Sequence, residues 1–226
     1  MLTQKQLSHR FTLEEYLNSS LTDSEKIYEL ENGQLTEMPP ESWQNSKIAM
    51  YLLMEIANVI SFERISLKTE IITSGNRVNA RIPDLVVLSP EGVNEIEQYQ
   101  RATITLDMPP PVLVVEVVSP GKVNRDRDYR YKRCSEVLGV SPQEAELPSV
   151  ARRDFEPCSC SDCIKKRSEY AARGIEHYWI VDPQERKFVR LQLEDGLYEI
   201  ETYEINHEDI CLTKPFKLNL KLSQVL

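Results

Sequence analysis

The sequence predicts an α/β (α+β) fold, a mixed β-sheet flanked by helices and preceded by an N-terminal hairpin. Three observations carry this. Short β-branched apolar runs recur at Asp84–Leu88, Val112–Val118 and Glu176–Asp182, each bounded by proline, as buried strands are. Ile48, Leu52, Ile56, Val59 and Ile60 repeat at the spacing of an amphipathic helix. Asn32-Gly33 and Asp195-Gly196 each separate two alternating runs, the strongest short-range hairpin signal. Helices packed on a mixed sheet bury both patterns.

Taken in order, Phe11–Leu17 is a short helix with Thr12 as its N-cap and Glu15 closing a capping box. Lys26–Leu30 and Gln34–Met38 form the N-terminal hairpin, ended by Pro39-Pro40. The amphipathic helix runs from about Gln44 to Phe62. Ile65–Ser74 alternates as one strand, and after the Gly75-Asn76 turn Asn79–Leu88 is a second. Ser89–Pro111 is a polar excursion with a short strand at Ala102–Leu106. The Val112–Val118 strand follows, then a charged helix over Asn124–Arg133. Tyr170–Arg173 is helical and stops at Gly174, a C-terminal glycine cap. After the Glu176–Asp182 strand come the hairpin strands Lys187–Leu193 and Leu197–Tyr203. The tail from Cys211 is irregular or ends in a short strand.

Bulk properties bound the function. With 226 residues, 41% hydrophobic and 28% charged, the chain is an ordinary globular protein. No run approaches the ~20 apolar residues of a membrane span, and Met1–Arg10 lacks an apolar signal core, so a cytoplasmic protein with no membrane partner is expected. Seven glycines form no phosphate loop. A net charge of −9 argues against coating nucleic acid through bulk positive charge, but leaves room for a local basic patch.

Two acids need explaining. Glu116 lies within the most apolar stretch, where an ionised carboxylate costs several kcal/mol unless paired. Asp84 opens a second buried strand directly after Pro83. Together they suit convergence on one cation; either alone also suits a buried ion pair. After the turn Ser119-Pro120-Gly121-Lys122, the stretch from Lys122 to Arg133 holds Lys122, Arg125, Arg127, Arg130, Lys132 and Arg133, the most basic of the chain. Its plain alternative is a solvated helix face with pairs such as Asp128–Lys132.

These pieces suit phosphodiester hydrolysis. Mg²⁺ prefers carboxylate, carbonyl and water oxygens; Asp84, Glu116 and the backbone carbonyl of Val117 would supply three. The cation activates water and neutralises charge on phosphorus. A nearby lysine stabilises the pentacovalent oxygens, and Lys122, Arg125, Arg127 and Arg130 hold flanking phosphates.

The ordered set Pro83-Asp84, Glu116-Val117-Val118-Ser119-Pro120, Asp128-x3-Lys132, Tyr170-x3-Gly174-Ile175 and Tyr178-Trp179-Ile180-Val181-Asp182-Pro183 resembles a large bacterial restriction endonuclease family with the PD-(D/E)XK nuclease fold. Tyr28-Glu29-Leu30-x2-Gly33-x-Leu35-x2-Met38-Pro39 resembles it too. The likeness implies a restriction-endonuclease-like sheet, a metal-dependent endodeoxyribonuclease and DNA as partner, with a homodimer left open. The general pattern wants lysine where Val118 stands. The resembling family implies a lysine from the following helix, a slot that Lys132 matches, with Lys122 as the fallback.

That family steps from lysine through tyrosine to glycine at four-residue intervals. Splicing Arg133 onto Ser168 restores Lys-Arg-Ser-Glu-Tyr. The chain therefore reads as one domain, 1–226, interrupted by a Cys-rich insertion at about 134–166. The insertion holds Cys134, Cys158, Cys160 and Cys163, whose Cys160-x2-Cys163 knuckle suits Zn²⁺, with free thiols or a redox pair as alternatives. The lone His9 and His177 read as surface or core residues. The sequence thus points to a Mg²⁺-dependent DNA endonuclease using Asp84, Glu116 and Lys132. Its rivals are a catalytically inactive binding module on the same fold and a glycosidase using Asp84 and Glu116 as acid and base.

Overall fold

A computed structural model of the chain describes residues 9–19, 26–75, 78–99, 101–119 and 165–226. Strands β1 (Tyr28–Glu31), β2 (Gln34–Glu37), β4 (Glu70–Ser74), β5 (Asn79–Arg81) and β7 (Thr103–Ile104) form a sheet in the order β2-β1-β5-β4-β7. Strands β3 (Ile65–Leu67), β6 (Leu85–Val87), β8 (Leu113–Val117), β9 (His177–Asp182), β10 (Lys187–Glu194) and β11 (Leu197–Glu204) form a larger sheet, ordered β11-β10-β9-β8-β6-β3. In each sheet one neighbouring pair is parallel, β4 with β7 and β8 with β9, and the rest are antiparallel. The tail is a small hairpin of β12 (Ile210–Leu212) and β13 (Leu218–Leu220). This is the mixed α+β architecture the sequence implies.

The described helices are α1 (Leu13–Leu17), α2 (Trp43–Ala57), α3 (Pro90–Ile96) and α4 (Lys165–Ala172). The Thr12–Glu15 capping box closes α1 as expected. Helix α2 begins where the Ser42 hydroxyl accepts the Asn45 N–H, and it stops at Asn58, short of the expected Phe62. Ile48, Leu52 and Ile56 lie along its buried face. With Leu85, Leu113, Val115, Val117, Trp179 and Val181 they build the core on one side of the large sheet. Val86, Val114, Val118, Tyr178 and Ile180 build the core on the other side, with Tyr170 and Ala171 of α4. Each central strand alternates between the two cores, as the two-residue period requires. Because both faces are covered, β8 and β9 are buried throughout.

Two expected strands break, and both breaks place the site. Ile65–Ser74 divides at Lys68, whose φ of 58° turns the chain out of β3 in the large sheet and into β4 in the small one. Asn79–Leu88 divides at Ile82-Pro83: Pro83 has no N–H for a ladder, so the chain leaves β5 of the small sheet there and enters β6 of the large one. The Ser89–Pro111 excursion contains α3, capped by Ser89 with Pro90 in its first turn. In the first hairpin Asn32 and Gly33 both adopt positive φ. A Cβ on Gly33 would lie 2.9 Å from the Phe11 carbonyl oxygen. No described helix is long and apolar enough to cross a membrane.

Candidate active site

Register brings three strand ends together. Leu85 pairs with Val115 on one side of β6 and with Leu67 on the other. One step further, Asp84 stands between Lys68, past the end of β3, and Glu116 of β8. Directly opposed residues of antiparallel strands project to one face, so Asp84 and Glu116 share the face against which α4 packs. The Asp84 N–H donates to the Val115 carbonyl, and the Val117 N–H donates to Asp84 Oδ2 at 2.6 Å. Asp84 is 6% exposed and Glu116 5%.

Around Glu116 the site is tightly held. Helix α4 places Lys166 and Tyr170 one turn apart on the same face. Lys166 Nζ donates to Glu116 Oε1 at 2.8 Å, and the Tyr170 hydroxyl to the same oxygen at 2.9 Å. Burial, then the Glu116 charge, pushes the Tyr170 phenol well up, so it stays a neutral donor. Lys166 also lies 3.7 Å from Glu29 Oε1 of β1. Glu29 in turn accepts from Arg81 Nη1 at 3.3 Å. Arg81 grips Glu169 of α4 through two bonds, of 2.7 and 2.8 Å, and Thr73 and Asn79 donate to the same carboxylate. This buried network pins α4 to the small sheet and so sets where Lys166 points.

Around Asp84 the hold is looser. Lys68 bridges Asp84 and Glu41, 2.6 Å from Glu41 Oε2 and in close contact with Asp84 Oδ1. Burial pushes the Asp84 carboxyl up, and Lys68 and the Val117 N–H only partly offset it. Burial lowers the Lys68 ammonium while Asp84 and Glu41 raise it, and the carboxylates win. Glu41 is raised by burial and lowered by Lys68, with the net result below its ordinary range. Asn45 of α2 donates to the Val117 carbonyl at 3.3 Å and to the Ser119 hydroxyl at 3.0 Å, fixing the end of β8.

A pocket of about 50 Å³ opens over these groups. Its lining combines the polar Glu41, Lys68, Asp84, Glu116, Ser119 and Lys166 with the apolar Ile27, Met38, Pro39, Ile82 and Val117. It has room for a cation with a few waters. It is far below the ~300–1,000 Å³ of small-molecule clefts, which counts against a sugar-sized site for Asp84 and Glu116. Among the described residues Glu29, Glu41, Asp84, Glu116 and Glu169 face Lys68, Lys166 and Arg81, five acids to three bases in a largely buried cluster. Among the described residues no three His, Cys, Asp or Glu side chains close around an ion by themselves. Mg²⁺ does not need that: it is held by one or two carboxylates, with waters and substrate phosphates completing the shell. Asp84, Glu116 and the Val117 carbonyl fit such a group.

Of the residues singled out from sequence, the structure brings together Asp84, Glu116 and Val117. Lys122, Arg125, Arg127, Arg130, Lys132, Cys134, Cys158, Cys160 and Cys163 lie outside the described residues. Cys211, the remaining cysteine, is exposed. His177 is buried, and burial, then Arg190 and Lys214, pushes it down to about 4, so it is a neutral core imidazole at neutral pH. Sequence reasoning missed Lys166, Lys68, Glu41, Asn45, and the Arg81–Glu169 pair. For Lys166 the signal was present. Lys166-x3-Tyr170-x3-Gly174 keeps the four-residue steps with no splice, and Asp162-x3-Lys166 repeats the spacing of Asp128-x3-Lys132. Helix α4 takes in Lys165 and Lys166, which the sequence reading placed at the end of the insertion. For Lys68 no local signal exists, because its role comes from a corner between two sheets.

A family model described as "Uma2: Putative restriction endonuclease" matches residues 13–154 and 156–223. Among solved structures the chain is similar to "a putative nuclease belonging to DUF820" from Anabaena variabilis ATCC 29413, with TM-score 0.61 and 16% identity over 96% of this chain and 99% of that one. At that identity the likeness carries the fold. None of the curated proteins matches the chain.

Proposed function

The chain belongs to the Uma2 family, whose description is "Putative restriction endonuclease", and from that premise we propose that it is a Mg²⁺-dependent DNA endonuclease. The observation that carries this reading is Asp84 and Glu116 meeting at one pocket with the Lys166 ammonium 2.8 Å from Glu116. In the proposal, Asp84, Glu116 and the Val117 carbonyl hold the metal. A bound Mg²⁺ would supply an acidified water and a counter-charge for the phosphate. Lys166, already fixed by Glu116 and Glu29, would orient the attacking water or donate to the equatorial oxygens as charge grows on them. Tyr170 keeps the Glu116 carboxylate turned toward the lysine, and Asn45 holds the Val117–Ser119 backbone in place. The basic residues Lys122, Arg125, Arg127 and Arg130 are assigned to flanking phosphates, and Zn²⁺ remains an assignment from the cysteine spacing alone.

Plasmid nicking with and without Mg²⁺ tests the reading. The wild type should nick only with the metal, and Asp84→Asn and Glu116→Gln should each abolish nicking while remaining folded by circular dichroism. DNA binding without nicking in any divalent metal would instead make the chain a binding module on a nuclease fold.

A further inference from the structure

We propose that Lys68 is a resident counter-cation of this site, which a divalent metal must displace to reach Asp84; the inference rests on the metal-dependent reading above. The argument is geometric. Of the two Asp84 oxygens, Oδ2 is held by the Val117 N–H, a backbone donor within the sheet that cannot move aside. Oδ1 is held by the Lys68 ammonium, which also grips Glu41. Oδ1 is thus the Asp84 oxygen without a backbone donor, and a cation that approaches it meets an ammonium already there; two cations crowded onto one carboxylate oxygen repel.

Lys68 is built for release in a way that Lys166 is not. Its side chain is 38% exposed, against 4% for Lys166. It stems from the corner where the chain crosses between sheets, not from a helix. That corner is itself fixed, since the Thr69 hydroxyl donates to the Ser66 hydroxyl and Leu67 pairs with Leu85. The backbone thus holds Lys68 at a positive φ, which few residues other than glycine, asparagine and aspartate adopt. Backbone of this kind persists where its surroundings over-determine it, often at functional sites. The stem is anchored and the ammonium can swing into solvent. Glu41 lies on the same side of Asp84 and is left as a further oxygen donor once the ammonium leaves.

The test is Mn²⁺ titration by calorimetry of the full chain without DNA, comparing wild type with Lys68→Met, Lys68→Asn and Lys68→Arg. Asparagine tolerates the left-handed backbone, so it guards against misfolding of the methionine variant. Both neutral variants should bind Mn²⁺ at least tenfold more tightly than the wild type, about 1.4 kcal/mol, and Lys68→Arg should stay near the wild type. Wild-type binding that neutral variants leave unchanged or weaken overturns the role of Lys68 and leaves the metal site standing. Folded proteins that all fail to bind Mn²⁺ overturn the metal site, and the role of Lys68 with it.

Discussion

Two lysines approach the same pocket, and they are held in opposite ways. Lys166 comes from a helix and is nearly fully buried. It sits between Glu116 and Glu29, and Arg81, Glu169, Thr73 and Asn79 clamp its helix in place. Lys68 comes from a strained corner and is more than a third exposed; it bridges Glu41, itself partly exposed, and Asp84, which the Val117 N–H holds. The contrast teaches that an ion pair is a fixture only when its partners cannot reach water. Buried charges left unpaired by a mutation cost several kcal/mol, whereas exposed pairs contribute little.

The largest expected effect comes from breaking the fixed side. Lys166→Met takes the Lys166 ammonium from the buried Glu116. It should cost ~3–5 kcal/mol by urea unfolding, and Mg²⁺-dependent nicking should fall ~10²–10³-fold. A Lys166→Met protein that nicks normally would make Lys166 a structural ion pair and reopen the search for the catalytic lysine.

Arg81 comes next, because it touches the pocket only through others. Arg81→Met takes the guanidinium from the buried Glu29 and Glu169, and should cost ~3 kcal/mol. Adding Glu169→Gln removes the carboxylate that lost the guanidinium and keeps an acceptor for Thr73 and Asn79. The double variant should therefore recover at least ~1 kcal/mol, read as a coupling energy in a double-mutant cycle. Nicking by Arg81→Met should lose kcat with KM unchanged, as expected for a residue that positions Lys166 rather than touching DNA.

The loose side should respond weakly. Lys68→Met should cost less than Lys166→Met, roughly 1–2 kcal/mol, because the buried Asp84 can take up a proton when its ammonium leaves. Asp84→Asn should cost almost nothing at pH 7, and its sign with pH follows from the raised carboxyl. The fold holds the Asp84 proton more tightly than the unfolded chain does, where the ordinary value is 3.8. Ionising Asp84 therefore takes stability away as pH rises through its folded value, and takes none below 3.8. Relative to wild type, Asp84→Asn should gain stability on going from pH 4 to pH 8. A relative loss over that range would mean that Asp84 is stabilised as an anion by the Lys68 pair, and that Lys68 is a fixture after all.

How much of this was legible in the sequence differs along the same line. The strand carrying Glu116, the Asn-Gly and Asp-Gly turns, the Thr12–Glu15 cap and the core face of α2 all depend on local periodicity and turn chemistry. The sequence displays these directly. Asp84 and Glu116 were visible because a charge inside a β-branched run has few explanations. The Lys68 bridge and the Arg81–Glu169 clamp were not visible. Each joins residues from different sheets, and sequence separation hides contacts made where the chain steps from one sheet to the other. Lys166 was legible from its four-residue step to Tyr170, but the earlier Lys132-Arg133 offered the same letters.

That duplication makes the smallest expected effect the most informative one. Deleting 134–167 joins Lys132-Arg133 to Ser168-Glu169-Tyr170. The new junction repeats Lys166-Arg167-Ser168-Glu169-Tyr170 residue for residue. Asp128 then precedes the lysine by four, as Asp162 does in the full chain. Helix α4 keeps its buried Tyr170 and its Glu169 bonds to Arg81, and Lys132 inherits the place from which Lys166 reaches Glu116. The deletion variant should therefore melt within ~4 °C of the full chain, the shift expected for about 1 kcal/mol at this size, and should nick DNA with Mg²⁺ at least as well. Lysine scanning then identifies the working ammonium. Lys132→Met should leave the full chain active and silence the deletion variant, whereas Lys166→Met should silence the full chain. If Lys132→Met silences the full chain and Lys166→Met does not, the catalytic lysine is Lys132, and the contact between Lys166 and Glu116 is a buried pair that serves only the fold.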